Sequence, residues 1–288
     1  MDKSINVLVT GSNGQLGRSI RKEAEGSADN YFFTDVQELD ITNPEAVRAF
    51  VNDNNIDVIV NCAAYTNVDA AEDHEDLAMK INGEAPGVLA RAAKEKNGSL
   101  IHISTDYVFG GSGKNEPLNE DQSPSPTGAY GRTKLRGEEE ITKSGASAVI
   151  LRTAWLYSDY GNNFVEKIIS LLKNRDSIKV VFDQCGTPTY ATDLAKAIVD
   201  MITERKIKGN EGIYHFSNEG VCSWYDFAHA AVALVGMNNK EVLPCHSSEF
   251  PSKVVRPPYS VLDKTKYKET FGKKIPHWHE SLSRCLNS

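Results

Sequence analysis

The sequence predicts an α/β fold, a doubly wound parallel sheet followed by a smaller C-terminal α/β lobe. Three observations predict it. Short apolar runs alternate with longer amphipathic ones through the first half of the 288-residue chain. Each gap has room for a helix, which implies right-handed βαβ crossovers. The apolar runs are near-continuous, as strands covered on both faces are.

Ile5–Thr10 reads as the first strand and Gly14–Glu25 as the first helix. Tyr31–Thr34 is a second strand, and Asn43-Pro44 opens a second helix, with proline where its missing N–H matters least. Asp57–Asn61 is the third strand, about Leu77 to Glu95 is helical, and Leu100–Thr105 is the fourth strand. Gly128 to about Thr142 is helical and Ala148–Arg152 is the fifth strand. Between them, 110–128 is a long loop rich in Gly, Pro and Ser, of the kind that usually carries function. Beyond Thr153 the pattern loosens. Helices are expected near Asn163–Lys173, Thr192–Glu204, Ser223–Val235 and His277–Leu286, with strands near Ile178–Phe182 and Gly212–Ser217.

Composition excludes several classes. A formal charge of −7 argues against binding driven by nucleic-acid or anionic-membrane charge, so neither nucleic acid nor membrane is expected as a partner. No apolar run approaches the ~18 residues of a membrane span, and the N-terminal run passes straight into a Gly-rich loop rather than a cleavage site. The five cysteines, Cys62, Cys185, Cys222, Cys245 and Cys285, are scattered without a CxxC pair. Reduced thiols in a cytoplasmic protein, with no structural metal, are expected.

The first strand runs into Thr10-Gly11-Ser12-Asn13-Gly14-Gln15-Leu16-Gly17, a GxxGxxG variant of the dinucleotide fingerprint. Such glycines allow a tight turn, a close backbone approach to a pyrophosphate and close helix–strand packing. The phosphates would sit on free amides at the helix N-terminus. Asp35 stands 18 residues beyond Gly17 at the end of the second strand, where an acid can bind an adenosine ribose. It would repel a 2′-phosphate unless Arg18 or another mobile side chain compensates, so the cofactor is read as NADPH or NADH. The fold is accordingly Rossmann-like.

Among 11 tyrosines only Tyr130 has a lysine four residues on, Lys134. On a helix the two share a face. A phenol of ordinary pKa near 10 is a poor acid–base group at neutral pH, and a neighbouring cation lowers it. The fourth strand ends in Ser104-Thr105-Asp106, and ligands of open α/β sheets bind beyond the carboxyl ends of the strands. A hydroxyl of Ser104 or Thr105 can donate to a substrate oxygen there.

These motifs together resemble the extended short-chain dehydrogenase/reductase family. The resemblance runs through VLVTGSNGQLG, DVIVNCAAYTNVDAAE (57–72), STDYVF (104–109), YGRTK (130–134), LRTAWLY (151–157), GNNF (161–164), DQCGTPT (183–189) and RPPYSVLD (256–263). It implies Tyr130 as proton donor, Lys134 as its tuner and a ribose contact, and Thr105 polarising the reacting oxygen. It implies that Gly11, Asn13, Gly14, Gln15, Leu16 and Gly17 line the pyrophosphate, with Asp35, or Asp40 with Ile41, at the adenosine. Ala63, Ala64, Tyr65 and Thr66 would pass along the cofactor. Asp106 and Trp155 would meet a sugar, and Asn163, Gln184 and Arg256 a nucleotide diphosphate, which suits the forked arginine. The implied reaction is reduction of the C4 keto group of dTDP-4-dehydro-L-rhamnose. Other nucleotide sugars, an epimerase, or a non-catalytic NADP-binding regulatory subunit stay open.

On residue pattern alone, Trp155 fits a core equally well, Asn163 fits a helix cap, and Arg256 fits a solvated surface. His277 and His279 flank Trp278 without a nearby carboxylate or thiol and are read as a surface helix. Related sugar-nucleotide 4,6-dehydratases carry Thr-Asp-Glu where this chain has Thr105-Asp106-Tyr107, which argues for simple reduction. Some related reductases carry a glutamate, linked to metal-bridged dimers, where this chain has Tyr190-Ala191-Thr192-Asp193, so a monomer or weak homodimer is expected. The expected division assigns 1–154 to the dinucleotide, with 190–210 returning to it, and 155–189 with 211–288 to the substrate.

Overall fold

The computed structural model describes residues 4–113, 115–250 and 252–287. Residue 114 of the expected 110–128 loop, and residues 1–3, 251 and 288 of the expected lobes, lie outside the described residues. Five strands follow the apolar runs: β1 (Asn6–Thr10), β2 (Asn30–Thr34), β3 (Val58–Asn61), β4 (Ser99–Thr105) and β5 (Ser147–Thr153). With β6 (Gly212–His215) they form one parallel sheet in the order β6-β5-β4-β3-β1-β2. The chain steps outward from β1 to β2, then returns past β1 to β3. The sheet's switch point therefore lies between the carboxyl ends of β1 and β3, where open α/β sheets take ligands.

Alternation along β1 covers both faces. Val7 and Val9 pack with Leu16 and Ile20 of the Gln15–Glu23 helix, and Leu8 packs on the other face with Val47, Val51, Ile59 and Leu89. The Ala191–Thr203 helix lays Leu194, Ile198 and Met201 into the first of these clusters. That crossover brings the following strand back to the sheet. Gly212–Ser217, expected in the C-terminal lobe, is thus corrected: Gly212–His215 pairs with β5 as the sheet's sixth strand.

The smaller lobe gathers the Phe164–Lys173, Trp224–Leu234 and Trp278–Leu286 helices around Phe227, Trp278 and Leu282. A two-stranded parallel ribbon, Ser177–Val181 with Glu241–Cys245, packs beside them. The Glu241–Cys245 strand was not expected. Its sequence, EVLPC, carries a proline and only a short apolar run.

The helical stretch near 77–95 is interrupted by a π-helical turn at Met79–Glu84 between Glu75–Ala78 and Ala85–Glu95. Asn82 explains it. Its side chain accepts from the Tyr65 amide (2.8 Å) and donates to the Tyr65 carbonyl (3.0 Å), tying the loop after β3 to this helix. Opposite, a Cβ on Gly137 would lie 2.2 Å from the Asn82 carbonyl oxygen, so glycine alone lets the Ala129–Ser144 helix approach. The 110–128 segment is anchored by Leu118, which is buried and whose amide donates to the Val261 carbonyl (2.8 Å).

Candidate active site

A cleft of about 980 Å³ opens at the switch point and runs from the glycine loop to the smaller lobe. At one end, Gly11 has φ of +63°, and a Cβ there would lie 2.6 Å from the Ala63 amide nitrogen. A Cβ on Gly17 would meet the Ser12 Cα at 2.5 Å. Gly14 caps the Gln15–Glu23 helix without a side-chain bond and with no acid in the first turn, so its leading amides are open to an anion. Asp35 accepts from the Asn13 amide (3.2 Å) at the cleft wall. This cradle of missing Cβ atoms and open amides fits a dinucleotide pyrophosphate.

At the other end, β4 delivers Thr105, the Asp106–Phe109 turn after it delivers Asp106, and the Ala129–Ser144 helix delivers Tyr130 and Lys134. The Thr105 hydroxyl accepts from the Tyr107 amide (3.2 Å) and donates to Asp106 Oδ1 (3.1 Å). Burial raises the Tyr130 phenol above its usual range, and a hydrogen bond with the Thr105 hydroxyl opposes it. Removing a phenolate from water is costly, and that sets the direction of the shift. Lys134 Nζ donates to the Ile103 carbonyl (2.6 Å) and lies 3.3 Å from His102 Nε2. A phenol held protonated at neutral pH is a proton donor in waiting.

Asp106 is 2% exposed, and its carboxyl is pushed up to about 6 by burial, against hydrogen bonds involving Ser260 and Thr105. Among the described residues its Oδ2 is buried without a hydrogen-bond partner. Trp155 has the left-handed φ of +50° and stacks on Trp224 at 3.6 Å between ring centres. Strain of that kind in a bulky residue clusters at functional sites. Trp155 therefore lines the cleft rather than only the core.

The remaining candidates divide. Gln15, Leu16, Asp40, Ile41, Ala63, Ala64, Thr66, Asn163 and Arg256 reach the cleft. Asn163 does so as a helix cap: its Oδ1 accepts from the Glu166 amide (3.1 Å) and its Nδ2 donates to the Ser158 carbonyl (2.8 Å). Arg256 lies 3.6 Å from Asp69 and is partly exposed. Two residues are not brought to the cleft. Tyr65 packs against Ala71, Ala78 and Ala129, and Asn82 holds its backbone. Gln184 donates to Ser247 (2.8 Å) beside Asp183. Sequence reasoning missed Trp224, Tyr107 and Tyr160. Trp224 opens a helix some 70 residues beyond Trp155, and only the packed lobes bring it there. Tyr160, whose ring lies under Arg18 (5.6 Å), adjoins the Gly161-Asn162-Asn163 turn and was findable. His277 caps the Trp278–Leu286 helix, accepting from the His279 amide (3.2 Å).

The sequence matches the family described as the RmlD substrate binding domain over residues 5–288. The chain belongs to this family. It is 39% identical to a dTDP-4-dehydrorhamnose reductase of Aggregatibacter actinomycetemcomitans, covering 96% of each chain. A crystal structure of a dTDP-4-dehydrorhamnose reductase from Clostridium acetobutylicum is 45% identical, with a TM-score of 0.93 over 98% of this chain and 99% of that one. The Bacillus anthracis dTDP-4-dehydrorhamnose reductase in complex with NADP is 37% identical, with a TM-score of 0.93 over 99% of both chains. Family membership extends over both lobes, so the cleft between the glycine loop and Trp224 belongs to the shared architecture.

Proposed function

We propose that this chain reduces the C4 keto group of dTDP-4-dehydro-L-rhamnose to give dTDP-L-rhamnose, with NADPH or NADH. The observation that carries this reading is the convergence of the Thr105 and Tyr130 hydroxyls at the end of β4, in a cleft continuous with the glycine cradle. The names of the relatives point the same way. A reduced nicotinamide would supply the hydride. Every other task falls to the side chains of the cleft. Tyr130 presents its O–H to the carbonyl oxygen, and Thr105 can add its own once that proton turns from Asp106, polarising the carbonyl. Tyr130, protonated because it is buried, releases its proton as that oxygen becomes an alkoxide. The unpartnered Asp106 Oδ2 can accept from a sugar hydroxyl, and the Trp155–Trp224 stack offers the sugar a flat apolar wall. Arg256, half-free at the rim, can turn from Asp69 to a diphosphate.

In this reading residues 1–154 with 190–210 hold the dinucleotide, and 155–189 with 211–288, apart from β6, hold the sugar nucleotide. All five cysteines are free, which suits a reducing compartment such as the cytoplasm. The test mixes protein, NADPH or NADH and the 4-keto sugar nucleotide and follows absorbance at the nicotinamide band. Substrate-dependent oxidation is expected, and its absence sinks the assignment. Tyr130→Phe should lose at least about 100-fold in kcat, the usual scale of a positioned acid. Retention of the parent rate removes Tyr130 from the mechanism.

A further inference from the structure

Beside the sugar end of the cleft, the segment 252–256 crosses from the smaller lobe to the Val68–Asp73 helix of the first. Val254 is buried, and its Cγ1 would lie 2.9 Å from a Cβ on Gly128, at the start of the Tyr130 helix. The Thr127 hydroxyl donates to the Val255 carbonyl (3.4 Å). Two ion pairs complete the crossing. Lys253 Nζ donates to Asp73 Oδ2 (2.5 Å), and Arg256 Nη2 lies 3.6 Å from Asp69 Oδ2. The Ser252 hydroxyl donates to the other oxygen of Asp69 (3.3 Å).

The two pairs differ in kind. The first is a hydrogen bond, and it holds the Asp73 carboxyl below its usual range. The second is too long for one, so charge alone holds Arg256 there. Its side chain and that of Asp69 are 36% and 46% exposed, so water eases any change of partner. Arg256 also lines the cleft. The pair stands close to the reacting end. Burial raises the Tyr107 phenol to about 12, the charges of Asp106, Arg256 and Asp69 all reach it, and its ring meets the Tyr130 ring edge-on at 5.5 Å.

The wall behind Arg256 is acidic. Asp69, Glu72, Asp73, Glu75 and Asp76 fall within eight residues. Arg132 answers Glu72 and Glu75, at 4.0 and 2.8 Å, as Lys253 answers Asp73. A diphosphate carries more charge than one carboxylate and offers a guanidinium fork paired oxygens, so it draws Arg256 away from Asp69. Reduction at C4 leaves the nucleoside diphosphate untouched. That half therefore holds product as firmly as substrate, and such uniform binding does not speed the chemical step.

We propose that Asp69 is an internal competitor for Arg256, which limits the hold on the nucleoside diphosphate and hastens release of product. The proposal rests on the reading of Arg256 as a contact to the diphosphate. The Lys253–Asp73 bond and buried Val254 keep the segment in place while the Arg256 side chain turns. Pro257 and Pro258 follow at once, and the Pro258 carbonyl accepts from the Cys185 amide (2.8 Å), which pins the backbone behind it.

Calorimetric titration with dTDP, which needs no turnover, tests this. Asp69→Asn should tighten dTDP about two- to five-fold, the scale of an exposed ion pair, and leave NADH affinity unchanged. Stopped-flow displacement should show dTDP leaving more slowly. Arg256→Gln should weaken dTDP, and adding Asp69→Asn to it should gain nothing. Asp73→Asn, which removes the same charge one turn along, should leave dTDP affinity as it was. Unchanged or weaker dTDP binding in Asp69→Asn overturns the proposal. An equal gain in Asp73→Asn or in the Arg256→Gln background overturns it too, because the effect is then a general field. Parent-like dTDP binding in Arg256→Gln removes the underlying reading of Arg256, and the proposal falls with it.

Discussion

Replacing Glu138 by Gln would leave the Arg152 guanidinium buried without its counter-charge. The two side chains are 2% and 3% exposed, and the carboxylate receives both Arg152 Nε (2.9 Å) and Nη2 (2.6 Å). Ser104 donates to the same carboxylate, so three groups lean on it. Among the described residues Arg152 Nη1 is already buried without a hydrogen-bond partner, and the guanidinium lies over the face of Phe109, 4.8 Å from the ring centre. The uncharged amide keeps one acceptor oxygen but turns an NH2 toward a cation. Breaking one side of a buried pair costs about 3–5 kcal/mol, a large share of the roughly 5–15 kcal/mol that holds a domain folded. At an m-value of about 3 kcal/mol/M the urea midpoint should fall by about 1 to 1.7 M. Far-UV circular dichroism in urea reads that shift. The double replacement Glu138→Leu with Arg152→Met should recover most of it, because an apolar pair leaves no charge stranded. A Gln variant within about 1 kcal/mol of the parent would show that the pair does not carry the load assigned to it. Glu138 also moors the helix of Tyr130 and Lys134 to β4 and β5, so kcat should fall along with stability.

Three further outcomes follow from the same geometry. Asp106 has a carboxyl raised to about 6 by burial, so its contribution to stability is full below the ordinary carboxyl range and is lost as pH rises through about 6. Asp106→Asn removes that loss. It should stabilise the protein by up to about 3 kcal/mol at pH 8, with the gain fading as pH falls from 6 toward 4, while activity drops. Thermal melts at pH 5 and pH 8 showing the same difference from the parent would refute it. Gly11→Ala should weaken NADH or NADPH binding at least about ten-fold and lower the melting temperature, since φ of +63° costs alanine about 1–2 kcal/mol before its Cβ meets Ala63. Fluorescence titration reads the affinity. Gly186→Ala would put a Cβ 2.7 Å from the Trp155 ring, so it should shift the Trp155–Trp224 stack and raise KM for the sugar nucleotide while leaving cofactor affinity unchanged.

The glycine loop shows how much was legible. A run of β-branched and apolar residues ending in GxxGxxG specifies a strand, a turn and a helix start from local geometry alone, and Gly11 and Gly17 occupy the tight contacts that motif implies. Thr105 and Tyr130 were readable because each sits at an element boundary, a strand end and a helix start. Tyr65 and Gln184 were misplaced for one reason. For each, a side chain distant in sequence, Asn82 for one and Ser247 for the other, fixes where it sits. Trp224 was invisible because nothing local distinguishes it from any aromatic on an amphipathic helix.

By itself the sequence determined the alternation of strands and helices, the sites where the backbone must approach closely, and which side chains share a helical turn. Those are consequences of residue size, branching and period, which act over a few positions. Only the tertiary structure decided the protonation logic. The direction in which the Tyr130 phenol is shifted depends on water removed by elements far apart in the sequence. Desolvation is a property of the packed whole, and no local pattern encodes it.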